Sequence, residues 1–63
     1  MTENEKRARA RTLTMAVDEL ARLVRAGYTA AVMIPRLARA YGVAASAIRI
    51  QAEIDRRVDG LSE

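Results

Sequence analysis

The side chains that most often carry catalysis are missing or scattered in this chain of 63 residues. There is no histidine and no cysteine, which leaves no imidazole base, no thiolate nucleophile and none of the usual zinc ligand sets. The hydroxyls of Ser46 and Ser62 have no evident base. Asp18 and Glu19 are adjacent, so a helix sends them to different faces. Gly27, Gly42 and Gly60 stand alone rather than in a phosphate-cradling loop. The expectation is a chain that is not an enzyme and holds no cofactor and no metal.

What remains is charge, with 11 basic and 8 acidic residues and a net of +3. Lys6, Arg7, Arg9 and Arg11 face only Glu3 and Glu5 near the N-terminus. Arg22, Arg25, Arg36 and Arg39 outnumber Asp18 and Glu19 in the middle. Later, Arg49, Arg56 and Arg57 are outnumbered by Glu53, Asp55, Asp59 and Glu63. The basic surface therefore belongs to the first two thirds of the chain. Cations of this kind suit phosphate neutralisation, although a solvated helical turn would use them equally well.

Helices have to position these groups. Alanine and arginine dominate and favour helix, while β-branched residues are too few and scattered for a sheet. A first helix is expected over about 3–26. Thr2 is its N-cap, with Glu5 at capping-box distance. Leu13, Val17, Leu20 and Val24 form one stripe, flanked by Ala16 and Leu23. Arg11, Asp18, Arg22 and Arg25 point away from it, and Gly27 suits the stop.

A second helix is expected over 30–41, capped by Thr29, with Ala30, Met33, Ile34, Leu37 and Tyr41 facing inward. Pro35 interrupts it, removing a backbone bond at a cost of about 3 kcal/mol. Its phase lies opposite Leu37, so a kink that bends the helix around the core is favoured over a break at Ile34. A third helix is expected over 46–59, capped by Ser46 and closed by Gly60. Its strongest apolar stripe is Ala47, Ile50, Ile54, Val58 and Leu61, opposite Arg49, Ala52 and Arg56. Glu53 lies within pairing distance of Arg49 and Arg57. The predicted fold is all-α: one domain over 1–63, a three-helix bundle whose second helix is kinked or broken at Pro35.

The stretch from Pro35 to Ile48 resembles the core of a helix-turn-helix. Ala38 is the small residue inside the first helix, Gly42 the turn glycine, Val43 the apolar plug, and Ile48 the apolar residue one turn into the second helix. The longer run Leu23-Val-Arg-Ala-Gly-Tyr-Thr-Ala-Ala-Val-Met33, leading to Leu37 and Val43, looks like homeodomain-like winding in small bacterial and phage regulators. The resemblance covers roughly residues 20–58. It implies double-stranded DNA as partner, with Ser46 and Arg49 at base edges. Arg36 and Arg39 would lie near phosphates with Thr29, and Lys6, Arg7 and Arg9 in the basic N-terminal segment would supply further backbone or minor-groove contacts. Arg56 completes the implied DNA-binding set. Two features depart from the family pattern. Gln51 stands where a second apolar residue is usual, and the third helix is net acidic.

The alternative is a helical protein-interaction module. The outward position expected for Met15, beside Ala8, would suit a helix–helix interface. A helical hairpin that dimerises into a four-helix RNA-binding bundle is a third architecture, opposed by Pro35 and Gly42. So short a chain without disulfides points to a homodimer. The missing cysteines accord with a cytoplasmic setting. No apolar run reaches the ~20 residues of a membrane span, and residues 1–11 lack the apolar stretch of a secretory signal.

Overall fold

The computed structural model describes residues 2–55. They form three helices, α1 (Glu3–Arg25), α2 (Ala30–Tyr41) and α3 (Ala45–Asp55), and each packs against the other two. The architecture is an all-α three-helix bundle, which rules out the two-arm hairpin. Among the described residues no helix is long and apolar enough to cross a membrane.

α1 starts as its sequence dictates. Thr2 is extended, and its Oγ1 accepts from the Glu5 N–H at 3.2 Å. Glu3 and Glu5 in the first turn, with Arg22 and Arg25 in the last, complement the helix dipole. The end is closed by two bonds: the Gly27 N–H donates to Val24 O, and the Tyr28 N–H reaches back to Leu23 O, both at 3.0 Å. That pairing is a Schellman stop. It needs a left-handed residue, and Gly27 supplies φ +104°.

The inward stripe of α1 is as expected. Ala16, Val17 and Leu20 are fully buried, Ala21 joins them, and Leu13, Leu23 and Val24 pack at the edge. Asp18 is not on the outward side that its spacing suggests. It is half-buried with its Oδ1 atom out of solvent, because it borders the Val17–Ala21 face. A helix of this length is roughly 34 Å long at ~1.5 Å per residue, close to the 37 Å long axis of the molecule. Only Leu13 onward meets the core, so residues 3–11 project as an exposed helical arm.

α2 continues through Pro35 without a break. Pro35 and Ala31 are both exposed, so the carbonyl left without an intrahelical donor belongs to a residue on the water side. Ile34 and Leu37 are buried, with Ala30, Met33 and Tyr41 against the core, as their spacing predicts. Thr29 precedes α2 but makes no side-chain cap; its carbonyl accepts from Val32 and Met33 instead.

α3 departs from expectation in start and in phase. Ser46 is not the N-cap. Ala44 holds that position, its carbonyl accepting from the Ala47 and Ile48 N–H groups at 3.1 and 3.2 Å. The buried residues are Ile48 and Ala52, whereas Ile50 and Ile54 are 56% and 68% exposed. The stripe Ala47-Ile50-Ile54 is therefore not the core face, and Ala52 is not on the outer one. The turn decides this. Gly42 adopts φ +68°, and the Val43 N–H donates to Ala38 O at 3.0 Å. That pins Val43 against the core and rotates α3 so that Ile48 enters next to it. The expected end of α3 near residue 59, the stop at Gly60, and Val58 and Leu61 lie outside the described residues.

Candidate nucleic-acid interface

α2 and α3 are joined by Gly42, Val43 and Ala44 alone. Ala38, Val43 and Ile48, the residues on which a tight helix–turn–helix depends, all belong to the core or its margin. Fixing α3 by Ile48 and Ala52 leaves its opposite side free. Ser46, Arg49, Ile50 and Glu53 are exposed there. Their i, i+3, i+4, i+7 spacing makes them one continuous helical face.

Ser46 and Arg49 are thus brought together near the start of α3. The expected ladder between Arg49 and Glu53 does not form among the described residues. The polar link on α3 runs instead from Gln51 Nε2 to Asp55 Oδ1 at 3.0 Å. Arg49 is left in solvent, available to an external acceptor. Sequence spacing does not single out Ile50 and Glu53 for this face while the heavier isoleucine stripe sets the phase of α3. Setting the phase by Ile48 instead reveals them.

Lys6, Arg7, Arg9 and Arg11 are exposed along the projecting arm of α1. Arg9, Ala10 and Leu13 line a groove of about 360 Å³ with Gly42, Val43, Ala44 and Ala47. The arm therefore runs beside the α2–α3 turn and the first turn of α3, which puts a cation next to that helix N-terminus. Arg36 and Arg39 share the outer face of α2, where with Pro35 and Ala40 they line a separate hollow of about 340 Å³. Among the described residues, nothing from the Arg9 groove takes part in it. Arg56 lies outside the described residues.

Lys6, Arg7, Arg9 and Arg11 are all exposed, so the charges of the arm act through solvent and are screened over ~10 Å. An ion pair joins Arg22 Nη2 to Glu19 Oε2 at 2.6 Å; exposed as it is, such a pair contributes at most about 1 kcal/mol. Tyr28, just past the end of α1, is 56% exposed, and Met15 is 57% exposed on the outer side of α1. Among the described residues, no cluster of acidic side chains could hold a metal. Comparisons with protein families, with curated proteins and with solved structures found no match.

Proposed function

We propose that the chain is a small DNA-binding protein, of the kind that regulates transcription in phages and plasmids, acting from the cytoplasm as a homodimer. In this reading α2, the three-residue turn and α3 work as a helix-turn-helix. α3 enters the major groove, and the basic arm follows the phosphate backbone. One observation carries the reading: the turn at Gly42 buries Ile48 and so presents Ser46 and Arg49 together at the exposed start of α3.

Arg49 is the side chain suited to a bidentate contact with guanine. Arg36, Arg39, Lys6, Arg7 and Arg9 suit phosphate oxygens. Glu53 and Asp55 weaken backbone affinity near α3, which shifts the phosphate contacts onto the arm. The test is fluorescence anisotropy with duplex DNA across a salt series. Binding at low salt that falls steeply with added salt is expected, and Arg49→Ala should weaken binding to a duplex selected by the protein from a random pool by about 1–3 kcal/mol. Absence of any complex at low salt sinks the reading.

A protein-interaction module is the second reading. Met15 on α1 and Ile54 on α3, large apolar side chains left in water, favour it. It expects charge reversal across residues 6–11 to leave function intact and a polar substitution at Met15 to abolish it.

A further inference from the structure

We infer that Ile50 recognises the 5-methyl group of a thymine in the major groove, one position along from Arg49. This rests on the reading of α3 as the groove-entering helix.

Ile50 is more than half exposed, while Ile48, two residues earlier, is fully buried. Ile48 is therefore committed to the core, while Ile50 is left largely in solvent. Ile50 occupies the middle of the face formed by Ser46, Arg49 and Glu53, all exposed. A branched apolar side chain in the centre of a polar face and outside the core cluster adds little to the packing of the bundle. In the major groove, base edges present hydrogen-bond donors and acceptors with one apolar exception, the thymine methyl. The side chains flanking Ile50 match the remaining chemistry of such a site. Arg49 suits the two acceptors of guanine, and Glu53 suits the amino group of cytosine.

Ile54 is more exposed still, but it lies a full turn further from the N-terminal end of α3. The N-terminal residues of a groove-entering helix are the ones that reach base edges. Ile50 falls within that reach and Ile54 beyond it.

The test uses the full chain. A duplex is first selected by the protein from a random pool. Each thymine of that duplex is then replaced in turn by deoxyuridine, which deletes the methyl and keeps the hydrogen-bonding edge. Affinities are measured for the native protein, Ile50→Ala and Ile54→Ala. One deoxyuridine position should weaken native binding about three- to ten-fold, the scale of one buried methyl. Ile50→Ala should lose a similar factor on the thymine duplex and be indifferent to that replacement. Ile54→Ala should keep the native sensitivity.

A selected duplex whose thymines can all be replaced without effect overturns the inference and leaves DNA binding standing. A loss that is equal for the native protein and Ile50→Ala does the same. If Ile50→Ala instead lowers the sedimenting mass while deoxyuridine has no effect, Ile50 contacts protein and the inference is wrong. If no duplex is selected at low salt, the DNA-binding reading fails and takes this one with it. Because Ile50 is exposed, a melting curve close to native is expected for Ile50→Ala, which separates a weakened interface from misfolding.

Discussion

Ile48 and Ile50 are the same side chain two positions apart, and the bundle uses them in opposite ways. Ile48 is sealed in the core with Val17, Leu20 and Ala52. Truncation to alanine there leaves a cavity and should cost about 2–5 kcal/mol, enough to unfold much of a domain this small. Ile50→Ala should change stability by less than about 0.5 kcal/mol. Urea unfolding followed by circular dichroism compares them directly, and equal costs would refute the assigned phase of α3. Gly42 offers a second test at the same scale. A Cβ added there meets nothing within 4 Å, but φ is +68°. Gly42→Ala should therefore cost about 1 kcal/mol from backbone strain alone. Gly42→Asn should cost less, since asparagine tolerates the left-handed region.

At the scale of elements, the helices differ in how well their ends are satisfied. α1 has a side-chain cap at Thr2 and a Schellman stop at Gly27. α3 starts from Ala44, which has no side-chain acceptor, and the nearby Ser46 sits one residue inside the helix. Ala44→Ser would place a hydroxyl where the first-turn N–H groups lack one. The expected gain is about 1 kcal/mol, seen as a rise in melting temperature of about 4–8 °C. An unchanged melting temperature would mean that Ala44 is not the true cap. Pro35 shows the same logic reversed. The helix tolerates it because Ala31 and Pro35 both face water.

The whole molecule is asymmetric in charge and in packing. The core occupies the part of α1 beyond residue 12, and the basic arm before it rests on helix propensity and its cap at Thr2. An unpacked helix of this kind frays easily. Replacing Lys6, Arg7 and Arg9 together by alanine should leave the cooperative melting of the bundle unchanged. If the chain binds duplex DNA as proposed, the slope of log affinity against log salt should become shallower by about 1 for each phosphate that the arm no longer neutralises. An unchanged slope would remove the arm from the interface and leave α3 and α2 to bear it.

Much of this fold is legible in the sequence. The caps at Thr2 and Gly27, the inward faces of α1 and α2, and the exposed arm follow from local spacing and composition, and local spacing is what a sequence encodes directly. The candidate site is only half legible. The outer position of Arg49 can be read from the spacing. Ser46 reads as a cap and Ile50 as core, because the apolar stripe through Ala47, Ile50 and Ile54 outweighs the one through Ile48 and Ala52. Tertiary structure reverses that choice. The rotation of α3 is set by three turn residues, by the left-handed glycine among them and by the room left between α1 and α2, where an isoleucine and an alanine fit. No periodicity within α3 contains that information, and it is the rotation that decides which side chains the helix offers to a partner.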